Sequence, residues 1–258
     1  MSKVVYEVNQ HVATLTIDSP PANALSSALL QDLAEQLDAI EKDSTIKAII
    51  IKGEGRFFSA GADIKEFTSL QEKADYSTLA EKGQRLLDRI EHYHIPIIAA
   101  IHGAALGGGL ELAMACHMRI ATENAHIGLP ETTLGIIPGF AGTQRLPQFV
   151  GLAKAYEMIL SGEPISGQEA YHFGLINKAV TEEEEVFKEA EKLASKIAEK
   201  SKPSIESVMR LIPYAKTSQF SEGVQAEAKE FATVFSTEDA KEGVQAFIEK
   251  RKPNFQDK

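Results

Sequence analysis

Apolar positions change their period several times along this chain, and each change marks an element. Residues 4–17 alternate apolar with polar and are rich in Val and Thr. Asn9-Gln10 interrupts the run, which predicts a hairpin whose second strand is 11–17. After Pro20-Pro21, Leu25, Leu29, Leu33, Leu37 and Ile40 recur at spacings of three and four, predicting an amphipathic helix over 26–42. Short unbroken apolar runs follow at 48–51, at 97–101 behind Pro96, and near 118–121. Runs of this kind suit strands covered on both faces. Strands alternating with helices predict an α/β core. Residues 181–200 read as a charged helix, and the pattern stays helical beyond Pro203, with Pro213 and Pro253 as breaks. We therefore expect a core over 1–200 and a small helical domain over 201–258, with no long linker, repeat or low-complexity tract.

Composition narrows the class without naming any chemistry. The chain has 258 residues, 43% hydrophobic and 25% charged, enough for a sizeable core. A net charge of −10 disfavours a nucleic-acid partner. The lone Cys116 excludes an intrachain disulfide and fits a reducing compartment. The first ten residues lack an apolar signal core, and no apolar run reaches membrane-spanning length, so the expectation is a cytoplasmic protein with no membrane partner.

Candidate chemistry gathers in three stretches. Residues 101–111 run from a strand into glycines and end on Glu111, with a helix expected to start at Gly107-Gly108. Glycine lets backbone approach a ligand, and free amides at a helix start attract negative charge. A plain strand-to-helix turn, with Glu111 favouring the helix dipole, accounts for these residues equally well. Residues 57–65 are small around Ser59-Ala60-Gly61-Ala62, and Asp63 is placed to cap a helix near Ile64; a capped turn suffices for them alone. Residues 128–145 bracket Glu131 between prolines and glycines, and 139–143 are placed to open a helix whose amides suit a water or a carboxylate. A lone glutamate there is ordinarily a solvated loop residue. Taken together, two carboxylates and two sets of exposed amides suit chemistry beside a carbonyl. The chain has no G-x-S-x-G elbow, no G-x-G-x-x-G or P-loop, and no H-E-x-x-H. His92-Tyr93-His94 reads as a polar turn rather than a metal pair, and no metal is expected. Cys116 reads as core rather than nucleophile.

Three stretches occur together and in order: Phe58-Ser-Ala-Gly-Ala-Asp-Ile-Lys-Glu66, Gly103-Ala-Ala-Leu-Gly-Gly-Gly-Leu-Glu-Leu-Ala113, and Pro130-Glu-Thr-Thr-Leu-Gly-Ile-Ile-Pro-Gly139 followed by Gly142-Thr-Gln-Arg-Leu146. With them the chain resembles the crotonase, or enoyl-CoA hydratase/isomerase, superfamily. The resemblance implies a spiral of ββα units with a C-terminal helical domain, assembled as homotrimers or as hexamers of stacked trimers. It implies a coenzyme A thioester as substrate and no separate cofactor. It places the oxyanion hole at the amides of Ala62 and Gly108, catalysis on Glu111 and Glu131, and water orientation at Gly139. It places coenzyme A contacts at Ala60, Ala62, Asp63, Ile64 and Lys65, with Phe247 and Lys250 from the C-terminal stretch Phe247-Ile-Glu-Lys-Arg-Lys-Pro-Asn-Phe255, which also looks like the family's.

Glutamate at both catalytic positions points to the hydratase branch, serving fatty-acid β-oxidation. The alternatives are a Δ3-Δ2-enoyl-CoA isomerase, which has less evident use for Glu111, and a non-catalytic CoA- or RNA-binding relative, which the net charge opposes. Three departures from the family pattern stand out. His117 replaces a common Asp, Leu129 replaces a polar side chain beside Glu131, and Pro20-Pro21 replaces a basic residue near the coenzyme phosphates. The last shifts the expected phosphate contacts to Lys65 or to Lys250-Arg251-Lys252. Residues 67–85 are expected to shape the acyl pocket.

Overall fold

A computed structural model describes residues 3–63, 66, 73–216 and 220–258. The hairpin forms as expected. Strand β1 (Lys3–Asn9) pairs antiparallel with β2 (Val12–Asp18) around Gln10, whose φ is 54°. Helix α1 (Ser27–Glu41) starts on Ser26, whose hydroxyl accepts from the Leu29 N–H. That bond satisfies one of the orphan donors at the helix start. The helix buries Leu29, Leu30, Leu33, Leu37 and Ile40 on one stripe.

The remaining strands of the large sheet are β3 (Ala48–Gly53), β4 (Ile97–Ile101), β6 (Met118–Thr122) and β9 (Lys178–Val180). Their order is β1-β2-β3-β4-β6-β9, and every pairing after the hairpin is parallel. Both faces are covered. Ile49, Ile51, Ile97, Ala99 and Ile101 join one cluster with α1; Ala48, Ile50, Ile98 and Ala100 join a second with Val186, Ala190 and Ala194 of α6 (Glu183–Ala198). That sandwiching is why the runs at 48–51 and 97–101 carry no polar alternation.

A second, smaller sheet was not anticipated. It holds β5 (Ala104–Leu106), β7 (His126–Gly128) and β8 (Ile165–Ser166), in that order. Single-residue parallel bridges extend it, Ser59 to Ala105 and Ala62 to Leu25. The chain thus winds repeatedly through both layers. A long strand enters the large sheet, a few residues enter the small one, and a helix returns. The helices are α1, α2 (Lys73–Glu91), α3 (Gly108–Ala115) and α4 (Gly142–Ser161), the last kinked at Gly151. This is the ββα spiral.

After α5 (Gly167–His172) and α6 come α7 (Lys202–Leu211), α8 (Phe220–Phe235) and α9 (Glu238–Glu249). Pro203 lies in the first turn of α7, where its missing N–H costs nothing, so it opens this helix as well as ending the pattern before it. The tail folds back onto the core. Buried Lys47 binds the Asp257 carboxylate at 2.6 Å and the Lys200 carbonyl at 3.0 Å.

One sequence expectation is corrected. The polar turn at 92–94 contains a core residue: Tyr93 is buried and its hydroxyl donates to the Leu37 carbonyl at 2.7 Å. The basic cluster at 250–252 is largely engaged within the chain. Arg251 pairs with Glu242 and Glu249, and Lys252 with Glu199, which leaves Lys250 without an ion pair among the described residues. Burial of Cys116 pushes its thiol up to about 12, consistent with a core role.

Candidate active site

Two amides meet where the small sheet ends. Ser59 N–H donates to the Ala104 carbonyl and Leu106 N–H donates back to the Ser59 carbonyl, which sets the 59–62 segment alongside β5. Gly61 then turns at φ 107° and Gly107 at φ 51°. A Cβ at Gly61 would stand 2.9 Å from the Leu106 carbonyl and 3.4 Å from Gly108 N; one at Gly108 would stand 3.2 Å from Ala62 N. Only glycine allows this approach. It brings the Ala62 and Gly108 N–H groups side by side, and neither donates to a protein acceptor among the described residues. Gly108 opens α3, whose first-turn donors have no intrahelical partner.

One turn into α3 lies Glu111, 1% exposed. Its Oε1 accepts from Phe140 N–H at 2.8 Å and from Gly142 N–H at 2.7 Å. No protein donor reaches Oε2 among the described residues. Burial pushes this carboxyl up to about 7, with the Glu131 charge adding to the rise and the two N–H bonds and Arg145 opposing it. Glu131 sits in a short 3-10 turn, Pro130–Leu134, and is half-buried. Its Oε2 is buried without a partner among the described residues, and burial raises its affinity for a proton. A Cβ at Gly107 would meet Glu131 Oε1 at 2.9 Å, so this carboxyl stands beside the start of α3.

These groups line one cavity of about 950 Å³. Ala60, Gly61 and Ala62 form one wall, and Gly107, Gly108 and Glu111 the next. Glu131, Gly139 and the exposed apolar side chains of Leu134, Ile136 and Ile137 complete it, with Ala80 and Gln84 of α2. A cavity with an apolar wall and a few convergent polar groups suits a small-molecule ligand.

Of the residues expected from sequence, Glu111, Glu131, Ala60, Ala62, Gly108 and Gly139 therefore come together. Asp63 adjoins them, its N–H donating to the Leu25 carbonyl. Ile64 and Lys65 lie outside the described residues, as do 67–72 of the expected pocket segment. Phe247, 84% exposed, and Lys250, at the left-handed end of α9, do not line this cavity. Leu129 is fully buried beneath the Glu131 turn. His117 accepts from Ile97 N–H through Nδ1 at 2.9 Å, a structural bond between β4 and the end of α3.

The 139–143 amides do hold a carboxylate, that of Glu111, and Ala80 and Gln84 of the 67–85 segment do line the cavity; sequence reasoning gave no role to Gln84 itself or to Arg145. Arg145 is buried, donating to the Phe140 carbonyl and pairing with Asp88 and Glu91. It lay inside a quoted motif but carried no assigned role.

Among the described residues no three His, Cys, Asp or Glu side chains gather to hold a metal, and no helix is long and apolar enough to cross a membrane.

Known proteins share this fold over its whole length. The profile of the enoyl-CoA hydratase/isomerase family matches residues 7–258. A probable enoyl-CoA hydratase of Bacillus subtilis is 59% identical over 255 residues, covering 99% of both chains. The short-chain-enoyl-CoA hydratase of Clostridium acetobutylicum is 40% identical over 256 residues, covering 98% of this chain and 97% of the relative. A crystal structure of an enoyl-CoA hydratase from Bacillus anthracis superposes with a TM-score of 0.94 at 36% identity, covering 99% of this chain and all of that one. The match runs from end to end in sequence and in fold, and the chain belongs to the enoyl-CoA hydratase/isomerase family.

Proposed function

We propose that this protein is an enoyl-CoA hydratase, adding water syn across the double bond of a 2-trans-enoyl-CoA to give the 3-hydroxyacyl-CoA of fatty-acid β-oxidation. The observation that carries this reading is Glu111 itself. Both of its protein hydrogen bonds fall on Oε1, so Oε2 is left for proton work at the cavity.

In the proposed reaction the thioester oxygen accepts from the Ala62 and Gly108 N–H groups. They draw electron density from the C2–C3 double bond and make C3 electrophilic. Glu111, as carboxylate, takes a proton from water beside Gly139 while the water oxygen bonds to C3. The π electrons move to the thioester oxygen as an enolate. Glu131, protonated, delivers its proton to C2 and the carbonyl re-forms. Proton exchange between the two carboxyls resets the pair. A base that titrates near neutrality is matched to this task. An amide facing the oxyanion contributes about 3–4 kcal/mol.

The reading needs no resident metal or cofactor, since coenzyme A arrives with the substrate. It takes Ala60, Ala62, Asp63, Ile64 and Lys65 as coenzyme contacts, with Phe247 and Lys250 supplied by a neighbouring copy in a homotrimer or hexamer in the cytoplasm. Exposed Phe231, Phe235, Phe247 and Ile248 on α8 and α9 supply apolar surface for such an assembly.

Crotonyl-CoA hydration by Glu111→Gln and Glu131→Gln tests the assignment. Each variant keeps the shape and loses the proton, so kcat is expected to fall about 10²–10⁴-fold with a smaller change in KM. A folded variant with wild-type kcat would remove that residue from the mechanism.

A further inference from the structure

Gln84, on the wall of α2, is used by no step of this mechanism. Its Nε2 donates to the Gly139 carbonyl at 2.9 Å. The N–H of that same peptide is the Phe140 donor, which reaches Glu111 Oε1 at 2.8 Å. One amide plane therefore links a side chain of the cavity wall to the catalytic carboxyl.

The neighbouring peptides show that the whole turn is held from outside. The Phe140 carbonyl accepts from Arg145 Nη1 at 2.8 Å. Ala141 then adopts φ 70°, an unfavourable region for alanine, and the next peptide delivers the Gly142 N–H to the same Oε1 at 2.7 Å. Such a turn does not keep its shape by local preference. Arg145 braces its middle peptide and Gln84 its first. A glutamine lining a cavity has an ordinary alternative, which is to face water or the ligand. Here its donor is directed at Gly139.

We propose that Gln84 is a positioning residue for the hydration chemistry: through the Gly139–Phe140 peptide it holds an N–H on Glu111 Oε1 and so keeps Oε2 presented to the cavity. The inference rests on the hydratase reading for its kinetic arm only. Hydrogen bonds in series polarise one another, so a donor on the carbonyl strengthens the N–H at the other end of the amide. Loss of the Gln84 bond weakens the hold on the carboxylate form of Glu111, and its proton affinity rises further. The charged groups around Glu111 are Glu131 from the 3-10 turn and Arg145 from α4, the latter paired with Asp88 and Glu91. A neutral substitution at Gln84 alters none of them.

Gln84→Met has similar length, suits a helix and cannot donate. Two readouts are needed, the acid limb of the kcat/KM profile with crotonyl-CoA and the titration of the Glu111 carboxyl followed by carbon-13 NMR. Both are expected to move to higher pH, by about 0.3–1 unit, with an unchanged melting temperature. A titration that coincides with wild type overturns the proposal, whatever happens to kcat. So does a change in KM with neither limb nor titration displaced, because Gln84 would then be touching substrate rather than Glu111. If the wild-type protein does not hydrate enoyl thioesters, the hydratase reading fails by itself, and the NMR titration still decides whether Gln84 acts on Glu111.

Discussion

Glu111 is an almost wholly buried carboxyl, and its stability cost depends on pH. In the unfolded chain it titrates near 4.5; in the folded protein burial raises this to about 7. Below pH 4.5 both states hold the proton and the site costs nothing. As pH rises from there through 7, the folded state retains a proton that the unfolded state has released, so stability is lost across that window. A shift of this size corresponds to about 3 kcal/mol. Gln at 111 is neutral throughout and still accepts from Phe140 and Gly142. Urea unfolding should therefore find Glu111→Gln more stable than wild type at pH 8, by up to about 3 kcal/mol, and equal to it near pH 4.5. An offset that is the same at both pH values would show that Glu111 does not titrate in this interval. The glutamates were legible in the sequence because each closes a glycine- or proline-marked stretch. Gln84 was not, since its role is set by the carbonyl of Gly139, which no local pattern announces.

Among the elements, α3 is the one whose placement decides the chemistry. Its eight residues are all buried, and it begins on Gly107 at φ 51°, ψ −128°. A Cβ at Gly109 would lie 2.4 Å from the Ser59 carbonyl, so Gly109→Ala forces α3 away from the 59–62 segment. Overpacking of this kind costs about 1–3 kcal/mol. It also separates the two N–H groups, so kcat on crotonyl-CoA should fall by at least about tenfold. Gly139 provides the contrast, because a Cβ there meets no protein atom within 4 Å. Gly139→Ala should leave the unfolding free energy within the scatter of a surface change, about 0.5 kcal/mol, while lowering turnover by crowding the reacting water. Paired stability and turnover measurements on the two variants would separate these effects. The long elements were readable because period and length agree over 26–42, 48–51 and 97–101. The small sheet was not, because strands of two or three residues and single-residue bridges are too short to carry a period.

For the whole molecule, the C-terminal region supplies a further test. Lys250 lacks an ion pair among the described residues while its two basic neighbours are paired, and Phe247 is exposed. If a neighbouring copy's coenzyme uses them, Lys250→Ala should raise KM for a CoA thioester more than it lowers kcat, because the contact is equal in ground and transition states. The effect should shrink with a pantetheine thioester, which lacks the nucleotide phosphates. Equal KM effects on both substrates would assign Lys250 a structural role.

The reacting groups come from three successive windings of the spiral. Ala62 comes from the winding begun by β3, Gly108 and Glu111 from that begun by β4, and Glu131 from that begun by β6. No single winding owns the chemistry. A chain arrested with its early windings complete and its later ones loose would hold one oxyanion donor, no base and no acid. Turnover is therefore a reporter of completed assembly: on refolding from urea, catalytic activity should return with the last kinetic phase and leave the earlier phases silent.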